Sequence, residues 1–466
     1  MDKKNLIEFD FQIEKYPTPS FSLNTYFITS DEDAALVDPI FDPVLYDQLL
    51  EETSTTLKYI FFTHVPINFI SDYEDLAKKT EAQIVFGEGA GNAYENKDGS
   101  VFDLGRIKIK LLSTPGFTKE AACYVVVNSK GAEKAVLTGP SLLLGDVGHA
   151  LVKEEEKKSE MANEMYESIE KIKKIDKNVM VFPGFGPESI CGGKVLEGHS
   201  AHLEDLIEKT PYMKMQKEEF VKNVIESCQK YPKIYDKIKR DNSKEILSDV
   251  FNGIKKLSPD EIKKLIADDA NKDLYIIDTR DQSVSALGYI KSSLVFSLKV
   301  GFVKFFQCLM NQKNKFIFIT DKDKQNDSIL LAMRLGYFNI LGYADFESWK
   351  EKGNEVETIL YEPSTVENVN KLVKDGEYIL DIREVPEFKS VGVVKGAYLS
   401  PLSTFGEKYG EVPKDRTIHI MCKSGARAAI ALSYLKRMGY ENKMIILQGS
   451  CVKLQSENYQ FEKYEA

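Results

Sequence analysis

The segment Tyr275-Ile-Ile-Asp278-Thr-Arg280 returns 103 residues later as Tyr378-Ile-Leu-Asp381-Ile-Arg383. Each copy reads as an apolar strand that ends in an Asp-x-Arg step. A second apolar strand follows in each, Lys315 to Thr320 and Thr417 to Met421. Each then has a helix ending in Gly-Tyr (Gly336-Tyr337 and Gly439-Tyr440) and a further strand, Phe338 to Leu341 and Lys443 to Leu447. A period this long marks a duplicated domain and is too long for a solenoid turn. Strands alternating with helices build layered, parallel α/β units. The second half of the chain is therefore read as two small α/β domains, over 255–355 and 363–466.

The first half has a different rhythm. Short strands are predicted at Asn24 to Ile28, Ala34 to Val37, Tyr59 to Phe62, Gln83 to Phe86, Ile107 to Leu112, Tyr124 to Val127, Ala135 to Leu137 and Val179 to Phe182. Gly-rich turns separate them, and Met161 to Lys173 reads as a helix. Many short strands with interspersed helices indicate a layered α/β or α+β domain. From Val195 to Asn242 the chain is helical and charged. There Glu218 to Tyr231 puts Phe220, Val221, Val224 and Ile225 on one helix face. This extension is expected to pack on the first block, giving a first domain over 1–245. A helix from Glu245 to Ile254 leads into the repeats.

Composition narrows the function classes. The chain has 466 residues, 43% hydrophobic and 29% charged, enough to bury full cores without disulfide staples. Its net charge is −10 and it shows no basic stripe, so a nucleic-acid partner is not expected. Lys153, Lys157 and Lys158 stand among glutamates, the pattern of a solvated helix face. No apolar run approaches the roughly 18 residues that span a bilayer. The acidic stretch Met1 to Phe11 has the character of neither a signal nor a transit peptide. Six cysteines, at 123, 191, 228, 308, 422 and 451, form no CxxC pair and no regular spacing. Neither a zinc knuckle nor a disulfide framework follows. A reducing compartment, cytoplasm or mitochondrial matrix, is expected.

The chemistry concentrates in Thr417-Ile-His-Ile-Met-Cys422-Lys423-Ser424-Gly425-Ala426-Arg427. An apolar strand ends at a cysteine, a short loop follows, and Arg427 lies at the start of a helix. A helix N-terminus offers unpaired N–H groups and partial positive charge, which together favour an anion. Thiolates are stabilised in that setting. So is Cys–S–S⁻, the product of attack on a sulfane sulfur. Gly425 allows the backbone to curl, and Lys423 and Arg427 are expected to bind an oxyanion such as thiosulfate. Four residues separate Cys422 from Arg427. Cysteine phosphatases place five there, in a loop sized for phosphate, so the shorter loop suits a sulfur atom.

This segment resembles the active loop of the rhodanese family, CxxGxR. Asp381-Ile-Arg383-Glu384-Val-Pro-Glu387-Phe388 resembles its DxREPxEF motif, Lys395-Gly396-Ala397 its PGA motif, and Leu447-Gln-Gly449-Ser450 its terminal LxGG. The chain departs from the pattern at Gly392-Val393-Val394, at Ser450 and at Leu454. The resemblance implies a persulfide-forming Cys422 assisted by Arg427. It also implies an anion cradle of Lys423, Ser424, Gly425 and Ala426, and a brace from Asp381 and Arg383. Cys451 is expected to be a packed residue. In the first repeat the matching strand ends at Thr320-Asp321 and offers no cysteine, glycine or loop arginine. That copy resembles an inactive rhodanese domain.

In the first block, Val37-Asp38-Pro39, Thr63-His64, Thr114-Pro115-Gly116, Thr138-Gly139 and Pro183-Gly184-Phe185-Gly186 occur in order. They resemble the metallo-β-lactamase superfamily, in the branch of glyoxalase II and persulfide dioxygenase, whose skeleton is THxHxDH, TPGH, TGD and PGHG. The ligand positions hold Pro66, Asn68, Phe69, Phe117, Pro140 and Phe185. Only His64 keeps a ligand type, so no metal is expected and His64 is read as a core histidine. His199 and His202 form an i, i+3 pair in the extension, read as surface residues.

The fold class implied is multidomain α/β and α+β. It comprises an N-terminal αββα metallo-β-lactamase sandwich with its metal ligands lost and two rhodanese-like α/β domains. This order resembles persulfide dioxygenase–sulfurtransferase fusions. Two function classes stay open at this point. One is a sulfurtransferase moving sulfane sulfur from thiosulfate or a persulfide, through Cys422, to a thiol acceptor. The other is a pseudoenzyme serving as a structural subunit of a larger, mitochondrial assembly. The first needs no cofactor beyond the covalent persulfide and takes small sulfur donors and thiols as partners. A homo-oligomer or protein assembly is compatible with either.

Overall fold

The computed structural model describes residues 6–7, 10–71, 73–149, 151–187, 196, 198, 200–230, 234–242, 247–299 and 301–465. The chain forms two compact units. One holds Met1–Val250 with Arg334–Gly336, the other Phe251–Met333 with Tyr337–Ala466.

The first unit is a sandwich of two sheets. In Ile107–Ser113, buried Ile107, Ile109 and Leu111 alternate with exposed Lys108 and Lys110, the period of two that puts one strand face inward. Seven described strands form one sheet and six the other. Their inner faces share one core, with Ile13, Tyr26 and Phe61 from the first sheet and Ile109, Tyr124 and Leu137 from the second. Helices Leu45–Thr53, Tyr73–Thr80 and Lys158–Ile172 complete the αββα layering. The strand Gln12–Thr18 was not predicted. Its sequence Gln-Ile-Glu-Lys-Tyr-Pro-Thr carries little alternation, and antiparallel pairing to Leu23–Ser30 holds it in place.

The extension packs as a helix, Lys217–Ser227, that buries Phe220 and Val224. Val221 and Ile225 are only half-buried, so the apolar face is narrower than the pattern implied. The Phe220 ring meets the edges of Tyr166 and Tyr212 at 5.4 Å from each. The helix stops at Ser227, short of the predicted Tyr231, because Gln229–Lys230 pairs in parallel with Leu151–Val152. Tyr231 itself lies outside the described residues. The helix predicted from Glu245 is described as Leu247–Gly253.

The second unit contains two parallel sheets with the same strand order. The first runs Leu294–Val295, Leu274–Asp278, Lys315–Thr320, Ile340–Asp345. The second runs Tyr398–Leu399, Tyr378–Asp381, Ile418–Met421, Met444–Gln448, with Leu360–Pro363 added at the edge. The central strands are near-continuous apolar runs, as expected of parallel strands covered on both faces. The strand predicted at Phe338 to Leu341 lies instead at Ile340–Asp345. It continues through Gly342 because a Cβ there would sit 2.5 Å from Leu257 Cγ, and only glycine admits that approach. No described helix is long and apolar enough to cross a membrane.

Candidate active site

Strand Ile418–Met421 is wholly buried and delivers Cys422 at its C-terminal end, the side on which open parallel sheets bind ligands. Lys423 and Ser424 are exposed. Gly425 takes φ +108°, a conformation that L side chains resist, and caps the helix Ala426–Arg437. The Gly425 N–H donates to Cys422 Sγ at 3.0 Å. The Cys422 N–H donates to Ser450 Oγ at 3.2 Å, and its carbonyl accepts from the Cys451 N–H at 3.2 Å. The backbone is thus held on both sides of a sulfur seated at a helix N-terminus, where dipole and unpaired N–H groups favour an anion.

Arg427 does not extend freely toward an oxyanion. Its Nη1 and Nη2 donate to Glu387 Oε2 and Oε1 at 2.6 and 2.7 Å. Burial works against the guanidinium charge, but the Glu387 hydrogen bonds and the Cys422 charge outweigh it and raise its pKa. Asp381 and Arg383 lie behind the loop, 0% and 1% exposed, and so line no accessible surface. Arg383 Nη2 donates to Asp381 Oδ2 at 2.7 Å and to the Gly392 carbonyl at 2.9 Å. Its Nη1 donates to Cys451 Sγ at 3.2 Å. Any part these two play is exerted through the position of the loop. Cys451 is buried, and burial pushes its thiol up.

In the first unit, His64 is 1% exposed and surrounded by rings. The Phe185, Phe117 and Phe69 ring centroids lie 5.5, 5.8 and 6.4 Å from it. Its Nδ1 meets Thr63 Oγ1 at 3.1 Å, and Thr63 Oγ1 donates to Asp38 Oδ2 at 2.6 Å. Burial pulls His64 down to about 4 and pushes Asp38 up to about 7, the latter against its Thr63 hydrogen bonds. The buried Asn68 Oδ1 has no hydrogen-bond partner and adds one neutral oxygen. A zinc or iron site needs about three protein ligands. His64 and one amide oxygen do not fit that requirement. Among the described residues no group of three His, Cys, Asp or Glu is placed to hold a metal. His199 lies outside the described residues, and His202 Nδ1 meets the Asn178 carbonyl at 3.0 Å.

A rhodanese-like domain model matches residues 365–457. A sulfurtransferase of Allochromatium vinosum is 33% identical over 88 residues, which cover 18% of this chain and 80% of that relative. The chain belongs to the rhodanese-like sulfurtransferases. A hydroxyacylglutathione hydrolase of Brucella ovis is 31% identical over 119 residues, 24% of this chain. The match spans only 45% of that relative's own length. In fold, a metallo-β-lactamase of Staphylococcus aureus superposes with a TM-score of 0.61 at 19% identity, over 72% of this chain and 99% of that one. The chain thus joins a metallo-β-lactamase fold to a C-terminal rhodanese domain.

Within this rhodanese-like sulfurtransferase the two repeats can be matched by strand register. Asp278 pairs with Ile319 and Asp381 with Met421, so Thr320 occupies the place of Cys422. The sequence had placed the match only at the strand end Thr320-Asp321. The loop from Thr320 to its helix at Gln325 is also one residue longer than that from Cys422 to Ala426. Three contributors to the site were missed from sequence. Ser450 looked like a defect of the terminal motif, but its hydroxyl accepts the Cys422 N–H. Glu387 was read as motif and not as the partner of Arg427. Gln282 of the first repeat donates to the Gly425 carbonyl at 3.2 Å. Nothing in its local sequence announces this, because the contact spans the two repeats.

Proposed function

We propose that this chain is a sulfurtransferase working through a persulfide on Cys422. The observation that carries the proposal is the Gly425 N–H donated to Cys422 Sγ at 3.0 Å, at the head of a 12-residue helix. The Cys422 thiolate attacks the sulfane sulfur of thiosulfate or of a persulfide. The donor S–S bond breaks, and its electron pair leaves with sulfite or with the donor thiolate. The outer sulfur, now Cys422–S–S⁻, lies where helix N–H groups favour an anion. An acceptor thiolate then attacks that outer sulfur and Cys422 is released.

The loop 423–426 forms the cradle, Arg427 lies beside it, and Asp381 with Arg383 holds it from behind. No further cofactor enters this cycle. Its partners are small sulfur donors and thiol acceptors, in a reducing compartment such as cytoplasm or mitochondrial matrix. The metallo-β-lactamase unit is assigned no metal-dependent step, because the residues around His64 do not supply a ligand set.

Intact-mass analysis after incubation with thiosulfate or glutathione persulfide tests this. Wild type is expected to gain one sulfur atom and to pass it to glutathione or cyanide. Cys422→Ser is expected to do neither. A wild-type chain that gains no sulfur from either donor overturns the proposal. One tightly bound zinc or iron per chain overturns the reading of the first unit.

A further inference from the structure

We propose that Glu387 sets the donor preference of the Cys422 site by holding Arg427 in a closed ion pair, so that an organic persulfide is taken in preference to thiosulfate. The inference rests on the reading of Cys422 as the persulfide carrier. Its basis is the two-pronged fork between the partners, which neutralises the guanidinium charge while using two of its five N–H groups. Arg427 commits both terminal nitrogens to Glu387, at 2.6 and 2.7 Å. Glu387 Oε2 also accepts the Glu384 N–H at 2.9 Å, which ties the carboxylate to the start of its own helix. The side chains of Arg427 and Glu387 are 11% and 27% exposed. The Arg427 guanidinium lies 6.0 Å from the centroid of the Phe305 ring.

The surrounding charge is balanced as well. Glu384 Oε1 accepts the Ser403 N–H at 3.1 Å, and its Oε2 lies 3.4 Å from Lys304 Nζ. Two carboxylates, Glu387 and Glu384, thus offset two cations, Arg427 and Lys304. The other cation of the loop, Lys423, is exposed and screened by solvent. A bidentate Arg–carboxylate fork is strong and geometrically specific. Freeing Arg427 for an oxyanion would strand a partly buried carboxylate beside the incoming charge.

The two donors differ in what they demand of that pair. With thiosulfate, Cys422–S⁻ attacks the outer sulfur, the S–S bond breaks, and sulfite dianion leaves with the electron pair. A dianion must be held next to the Cys422 thiolate, and the charge of the fixed cation suited to hold it is already offset by Glu387. With a persulfide R–S–SH, the same attack breaks the S–S bond and R–S⁻ leaves. The proton of the transferred sulfur passes to that thiolate, giving Cys422–S–S⁻ and R–SH. In its protonated form the attacked group is uncharged and needs no free guanidinium.

The test compares kcat/KM for thiosulfate and for glutathione persulfide in wild type and in Glu387→Gln. Gln keeps an acceptor for the Glu384 N–H and removes the charge that binds Arg427. Wild type is expected to favour the persulfide by at least tenfold. The variant is expected to shift that ratio about tenfold toward thiosulfate, mainly through a lower KM for thiosulfate. A wild-type enzyme that prefers thiosulfate overturns the inference whether or not the variant folds. So does a folded variant whose ratio is unchanged while Cys422 still takes up sulfur. Failure of Cys422 to take up sulfur from either donor removes the parent proposal, and the inference with it.

Discussion

Asp278→Asn removes one partner of a fully buried ion pair in the first repeat. Arg280 donates from Nε to Asp278 Oδ1 at 2.9 Å and from Nη2 to Oδ2 at 2.6 Å. Nη2 also donates to the Gly288 carbonyl at 2.7 Å. The two side chains are 4% and 0% exposed. Burial outweighs Arg280 and lifts the Asp278 carboxyl above its ordinary range. The pair therefore adds little net stability, yet halving it leaves a guanidinium without a counter-charge, at a cost of about 3–5 kcal/mol. With a urea slope near 2 kcal/mol per molar, the unfolding midpoint should fall by roughly 2 M. Trp349, the sole tryptophan, packs in the same core and donates from Nε1 to the Glu355 carbonyl at 3.1 Å, so its fluorescence reports this unfolding. The double variant Asp278→Leu/Arg280→Met removes both charges. Methionine can still cover the Phe346 ring, which lies 3.9 Å from the Arg280 guanidinium. It should lose less than half of what the single variant loses. A single variant within about 0.5 M of wild type, or a double variant equally destabilised, would refute the reasoning.

Ser450→Ala strands the buried Cys422 N–H, costing about 1–3 kcal/mol, and should slow persulfide formation in single-turnover mass analysis. Ser450→Gly loses the same hydroxyl but relieves the φ of +42°, so it should melt higher than Ser450→Ala while transferring sulfur no faster. In the first unit, Asp38 at about 7 and His64 at about 4 titrate across nearly one window with opposite sign. Between pH 4 and 6.5, unfolding binds a proton at His64 and releases one at Asp38, so their slopes cancel. His64→Phe leaves Asp38 alone, with a stabilising contribution complete below its unfolded pKa and lost as pH rises through about 7. The variant's stability, read by proteolysis in urea, should fall with pH by up to about 1.4 kcal/mol per unit; a profile as flat as wild type would count against the pairing.

Much of the architecture was legible because parallel strands announce themselves. Lys315 to Thr320 and Thr417 to Met421 are mainly apolar runs followed by polar loops, and the strands fall at Lys315–Thr320 and, one residue later than expected, at Ile418–Met421. Gln12–Thr18 was illegible because pairing, and not alternation, defines it. At the site, the cysteine, the glycine and the helix start could be read from spacing alone. The Glu387–Arg427 fork could not, since the partners lie on different helices and local periodicity carries no information about them. The assignment of Thr320 needed strand register, because the first repeat has one more residue from Asp278 to its partner Ile319 than the second has from Asp381 to Met421, which shifts any count made along the sequence.

The two repeats separate what the fold requires from what sulfur chemistry requires. Both keep Asp-x-Arg as a buried bidentate pair, Asp278 with Arg280 and Asp381 with Arg383. Losing half of such a pair is costly in either repeat, with or without a reaction to support. Thr320 in the place of Cys422 sits 3% exposed at the end of an equivalent strand, so the fold accommodates either residue there. The same division explains the first unit. Asp38, Thr63 and His64 remain because their hydrogen bonds join the ends of neighbouring strands. Three of the six other positions that the resemblance assigns to ligands hold Phe69, Phe117 and Phe185, all buried, and their rings fill space beside His64. Such a site does not return one residue at a time. A histidine placed at Phe185 would first be a buried imidazole without a partner, costing about 1–3 kcal/mol, and a metal could repay that only once a third ligand stood beside it.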